Sequence, residues 1–261
     1  MSKPTPRATA RLTPRPAAKV GSKPRREARN QLTSVVLVFP LLLLYQLGVV
    51  LIYPMINGAD LLTRFLFQNL GLSISAYLGY TALVAVIFAV VVAVLRRRQQ
   101  VHLRAFIPML LESTIFALTM GSLIVVVMTR VFGINPRLAA PGGGGGISQA
   151  GMLSRLVMSL GAGFWEETTF RLGLLSGIAA LGQKMIGLRR PIAFFIALGV
   201  SSFLFSAAHH IPPYGDPLAL GVFTFRLLAG VFFGLLFWFR GFAVAAYTHA
   251  LYDIYVLVLK P

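Results

Sequence analysis

Seven apolar runs, each long enough to cross the hydrocarbon core of a bilayer, take up most of the chain after residue 32. A crossing helix needs about 20 predominantly apolar residues. The stretches 33–56, 73–95, 105–132, 150–181, 191–209, 218–239 and Phe242–Leu259 meet that requirement. With 57% hydrophobic residues and only 12% charged, the chain is too apolar for an ordinary soluble domain. In lipid each segment must satisfy its own backbone groups, which leaves helices as the expected element for runs of this length. The expected fold is therefore all-α, a polytopic membrane protein of about seven transmembrane helices. A short interfacial helix is expected over residues 60–71, because Leu61, Leu62, Phe65 and Leu66 share one face.

The charges give an orientation. Nine of the 24 Lys and Arg residues lie between Lys3 and Arg29. Arg96, Arg97, Arg98 and Arg104 follow the second run, Lys184, Arg189 and Arg190 the fourth, and Arg240 the sixth. The intervening loops carry few basic residues, so the positive-inside rule puts the N-terminus in the cytoplasm and the C-terminus outside a cell membrane. Residues 1–32 read as a basic, disordered cytoplasmic tail attracted to anionic lipid. The tail has no aromatic residue to stack on bases, and no nucleic-acid partner is expected. Five glycines in the stretch 142–149 read as a linker between N-terminal helices (33–141) and a C-terminal helical unit (150–261). There is no cysteine, hence no disulfide, thiolate metal site or cysteine nucleophile.

The chemistry-bearing residues concentrate after that linker. The chain has seven acidic residues, and two of them, Glu166 and Glu167, stand side by side in an apolar run. Charge in hydrocarbon is expensive and marks a functional site by default. On a helix Glu167 and Arg171 lie one turn apart and can pair, while Glu166 points about 100° away. His209 closes the fifth run beside His210, and His249 and Asp253 are one turn apart on the last; Arg226 stands alone in the sixth and is assigned no role. One carboxylate and two imidazoles from three helices can activate water. Either the Glu acts as general base, or Glu166, His209 and His249 hold Zn2+ or another divalent ion that lowers the pKa of bound water.

The three motifs Glu166-Glu167-Thr-Thr-Phe-Arg171, Phe205-Ser-Ala-Ala-His209 and His249-Ala-Leu-Tyr-Asp253 resemble, in order and spacing, those of the CPBP family of intramembrane proteases, which includes the CAAX prenyl endopeptidases. The resemblance spans about residues 161–253 and implies that 150–261 is a catalytic helical core. It implies an intramembrane endopeptidase of metallo- or glutamate type. Its substrate would be a membrane-anchored protein or peptide, prenylated or C-terminally sorted. Glu166 and His209 would activate the water, His249 and Asp253 would stabilise the oxyanion or orient the carbonyl, and Glu167 and Arg171 would shape and charge-balance the site. The family position of Asp253 is usually Asn, so here it is expected to orient His249 or help hold a metal. The rival readings are a non-catalytic immunity or scaffold protein of the same fold, and an ion- or proton-coupled transporter using the two glutamates as relay groups.

One expectation is internally strained. Glu166 lies about 16 residues from the basic loop at 182–190, about 24 Å at 1.5 Å per residue. His209 lies farther from that loop still, yet His249 is about eight residues from Arg240. One common depth demands strong tilts or a bent motif helix.

Overall fold

The computed structural model describes residues 30–60, 63–65, 73–135, 150–211, 215 and 217–260. The basic tail, the glycine linker and most of the expected interfacial helix lie outside these residues. Every regular element among them is helical. In chain order these are α1 (Gln31–Ile52), α2 (Ile74–Arg96), a 3-10 turn (Leu103–Ala105) leading into α3 (Phe106–Arg130), α4 (Met152–Gly161), two π-helical segments (Ala162–Glu166 and Thr168–Leu175), α5 (Ser176–Met185), α6 (Arg190–Ala208), α7 (Leu220–Arg240), α8 (Phe242–Asp253) and a closing π segment (Ile254–Leu259).

Six helices among the described residues are long and apolar enough to cross a membrane. The seventh expected crossing, 150–181, is a helical run over 152–185 interrupted by the two π segments. The protein is a polytopic all-α membrane protein. Its outward surface agrees: α2 turns Leu78, Leu83, Val86, Ile87, Val90 and Val94 outward, a face that suits lipid and not water. The starts of α1 and α2 are capped, Asn30 Oδ1 accepting from Thr33 N at 2.8 Å and Ser73 Oγ from Ala76 N at 3.3 Å.

Successive crossings alternate in direction, with residues 152–185 forming one crossing. Residues 152–185 turn back at Gly187 into α6, α6 packs along α7, and α7 turns at Gly241 into α8. Gly241 has φ +92°, a conformation that a side chain at this sharp reversal would strain. The N-terminal helices are packed among the C-terminal ones: α1 lies against α4 and α8, and α3 against α8. The start of α1 lies near the α7–α8 turn, with Ser34 Oγ 3.8 Å from where a Cβ on Gly241 would stand. Tyr247 OH donates to Leu37 O at 2.9 Å.

The motif helix approaches α8 closely. A Cβ on Gly163 would stand 2.5 Å from Ala246 O and 2.6 Å from Ala250 Cβ, so only glycine allows this approach. The π winding is seen directly at Ser176, whose N–H bonds to Arg171 O five residues back. The Ser176 hydroxyl caps the same carbonyl at 3.0 Å. Each extra residue per turn re-aims the side chains that follow, and π turns recur at functional sites for that reason.

Candidate active site

The three motifs meet inside the bundle. The π-interrupted run supplies Glu166, Glu167 and Arg171, the C-terminal end of α6 supplies His209, and α8 supplies His249 and Asp253. The depth conflict posed by straight spans is met by the π turns of the motif helix and by long side chains. His209 caps α6 with its N–H on Ser206 O at 3.1 Å, and its ring leans back so that Nδ1 lies 2.7 Å from Phe205 O. That hydrogen bond makes Nδ1 the donor and leaves Nε2 facing the site.

Glu167 is the hub of one half. Its Oε1 lies 3.0 Å from Arg171 Nη1 and 2.8 Å from His249 Nδ1. Arg171 also donates to Gly230 O at 3.3 Å. Its guanidinium lies 4.3 Å from the ring centre of Phe205 and 5.3 Å from that of Phe233. Both Glu167 and Arg171 are fully buried. Such a pair persists in an apolar interior only when its partners are complete, since either charge alone would be strongly destabilising. The planar guanidinium suits this place because it pairs with a carboxylate and stacks on rings together. Phe233 lies flat against the His249 ring, with centroids 4.4 Å apart and planes 16° apart.

Glu166 belongs to the other half. Its Oε1 accepts from Asn57 Nδ2 at 3.0 Å. Its Oε2 faces His209 Nε2 at 3.4 Å and His249 Nε2 at 3.8 Å. Oε2 is buried, and among the described residues nothing meets hydrogen-bond geometry with it. Asp253 Oδ2 lies 3.7 Å from the same His249 nitrogen. His249 thus joins the halves: Nδ1 is held by Glu167, and Nε2 faces Glu166 and Asp253.

All six candidate residues are therefore drawn into one cluster, and the two neighbouring glutamates separate onto different partners as their angular offset on a helix expects. Glu166, His209 and His249, the candidate metal donors, adjoin one another. Among the described residues no group of three His, Asp or Glu side chains is arranged to hold a metal ion.

Several functional contacts were not read from the sequence. Asn57 comes from the return after α1, in the half of the chain that carries few intramembrane polar groups; Asn57-Gly58 signals only a turn. Its N–H donates to Tyr45 OH at 3.0 Å, which fixes the returning strand of chain against α1. Glu167, rather than Asp253, is the nearer carboxylate to His249. Phe205 was visible as the first residue of the second motif, but its ring packing on Arg171 and, at 4.7 Å, on His209 was not. Phe233 and Gly230 carried no signal beyond apolar periodicity.

No curated protein and no solved structure matches the chain. Residues 148–255 match the family model described as type II CAAX prenyl endopeptidase, Rce1-like, a stretch that holds the motif helix, α6, α7 and α8. Through this helical core the chain is similar to the Rce1-like CAAX prenyl endopeptidases, a similarity that supports a place among the CAAX-type proteases.

Proposed function

We propose that this protein is an intramembrane endopeptidase that hydrolyses a peptide bond of a membrane-anchored protein with a water activated by Glu166. One observation carries the reading: Glu166, the more exposed of the two glutamates, turns its buried Oε2 to the Nε2 atoms of two histidines, at 3.4 Å from His209 and 3.8 Å from His249, with no partner in hydrogen-bond geometry among the described residues. An unsatisfied buried acceptor is costly unless a water or substrate group fills the gap. A water there would donate one hydrogen to Glu166 Oε2 and the other to His209 Nε2, leaving its lone pairs for the substrate carbonyl. Glu166 takes the proton as general base as the C–O bond forms, and returns it to the leaving nitrogen as the C–N bond breaks.

His249 is the candidate for the oxyanion. Glu167 holds its Nδ1, and Phe233 fixes the plane of the ring. Protonated on Nε2, it donates to the oxygen that becomes negative in the tetrahedral intermediate. Asp253, beside that nitrogen, is suited to orienting the ring and balancing its charge. Glu167 and Arg171 act through His249 and the packing around it. No step here runs through a metal.

The test is a comparison of membrane-protein termini between cells carrying the wild-type protein and cells carrying Glu166→Ala at equal abundance. New termini that vanish in the variant are expected. Identical termini in both strains, with equal cleavage rates, would refute the mechanism. Proton flux in liposomes that disappears in Glu166→Gln, without any proteolysis, would favour the transporter reading instead.

A further inference from the structure

The alternating helix directions sort the loops onto two ends of the bundle. At one end lie the start of α1, the α2–α3 connection, the α5–α6 turn and the α7–α8 turn. At the other lie the return after α1, the start of α2, the end of α3, the start of α4, the end of α6 and the start of α7. Side chains link the first end internally: Asn30 Nδ2 donates to Gln100 O at 2.8 Å, and Arg240 pairs with Glu112 near the start of α3. Arg96, Arg97, Arg98, Arg104, Lys184, Arg189, Arg190 and Arg240 all belong to this first end, and the nine-cation tail leads into it. Arg64, Arg130, Arg155 and Lys260 are the described basic residues at the second, with Arg226 within two turns of it in α7. The imbalance puts the first end in the cytoplasm.

Exposure within the site is graded along the same axis. The side chains of Asp253, His209 and Glu166 are 24%, 21% and 12% exposed. Those of Arg171, Glu167 and His249 are 1%, 0% and 5% exposed. The exposed group lies toward the second end. His209 caps α6 there, and Asp253 is one turn beyond His249 in that direction. Asn57 on the post-α1 return reaches Glu166 from there as well. The sealed group lies toward the basic end, closed off by Phe233 and Gly230 of α7. The rim of the second end carries Ile211, Leu218 and Leu220, all strongly exposed and apolar, a surface that suits a membrane-embedded segment.

We infer that the site opens toward the non-cytoplasmic face, and that its substrates are membrane-anchored polypeptides whose scissile bond lies at the outer end of the anchored segment. The inference rests on the protease reading above for its substrate, and on the bundle alone for its opening.

The chain has no cysteine, so single-cysteine variants report access directly. Asp253→Cys and His209→Cys place a thiol in the site, and Gln100→Cys places one at the basic end. Each is exposed to a membrane-impermeant maleimide on intact spheroplasts and on inverted vesicles. At least tenfold faster labelling of the two site thiols from the spheroplast side is expected, with Gln100→Cys showing the reverse. Labelling of both site thiols only from inverted vesicles overturns the inference. Mapping of the cleaved bonds separates the two readings. Cleavage confined to cytoplasmic segments would sink the outer-face substrate while leaving the protease intact. Labelling from outside with no cleavage dependent on Glu166 would sink the protease and leave the opening in place.

Discussion

Two neighbouring glutamates, one bond apart in the chain, live in opposite environments. Glu167 is surrounded by a guanidinium, an imidazole and two aromatic rings that arrange them. Glu166 has an amide on one oxygen and two imidazoles facing the other. The sealed half is neutralised by its ion pair and held by aromatic packing, although Glu167 Oε2 also lacks a hydrogen-bond partner among the described residues; the open half is the more exposed, and a water and a carbonyl could enter there. A site of this kind needs both, because the more exposed groups hold their geometry only if their supports are locked by packing and hydrogen bonds. The contrast predicts that changes in the open half act on rate, and changes in the sealed half act on stability.

The largest effect is expected from Glu166→Gln, which keeps the shape and removes the base. Its cleavage rate should fall by about 10²- to 10⁴-fold, the usual share of general acid–base catalysis, with a thermal midpoint in detergent no lower than wild type. Glu167→Gln should instead lower the midpoint. If the two variants behave alike, the division of labour between these carboxylates is wrong.

Next comes Arg171→Met. It takes the guanidinium from the fully buried Glu167 carboxylate, which keeps its contact with His249, and removing one partner of a buried pair costs about 3–5 kcal/mol. Thermal or denaturant unfolding should show that loss. The double variant Glu167→Gln with Arg171→Met should regain much of it, since the stranded charge is gone. A double variant no better than Arg171→Met would show that packing on Phe205 and Phe233, and not charge, is what Arg171 supplies.

Asn57→Ala sharpens the comparison on the open side. It removes one hydrogen bond to Glu166 and frees the carboxylate to turn away. About a tenfold fall in kcat is expected, with KM nearly unchanged and stability down by about 1 kcal/mol. A fall in stability with no change in kcat would make Asn57 a strut of the fold only.

The smallest effect concerns Asp60, which lies in the return that carries Asn57 and is buried outside the spans. Burial raises its pKa above the usual carboxylate range. A raised folded-state value means that stability is full below the unfolded value and declines as pH rises through the folded one. Asp60→Asn should flatten that decline, visible as a smaller loss of thermal midpoint between acid and neutral pH. Equal pH slopes in the two proteins would show that Asp60 is not buried as a carboxylate in the membrane-bound protein.

The apolar runs and the loop charges were legible because membrane helices need length and apolarity and because loop cations set topology, both local properties of the chain. The three motifs were legible because i, i+4 spacing is a property of any helix. The π turns were not, since Gly161, Gly163 and Gly173 signal freedom without stating how it is used. Nor was Asn57, which lies about a hundred residues from Glu166 and reads alone as a turn.

By itself, then, the sequence determined that the chain is a bundle of membrane helices and singled out Glu166, Glu167, Arg171, His209, His249 and Asp253 as the candidate site residues, which the structure brings together. Hydrocarbon admits few alternatives for either. Only the tertiary structure decided which glutamate is sealed and which is open, that Glu167 holds His249, and toward which end of the bundle the site is exposed. Those outcomes depend on how closely helices approach and how a motif helix is wound, and such distances arise from packing between segments far apart in the chain.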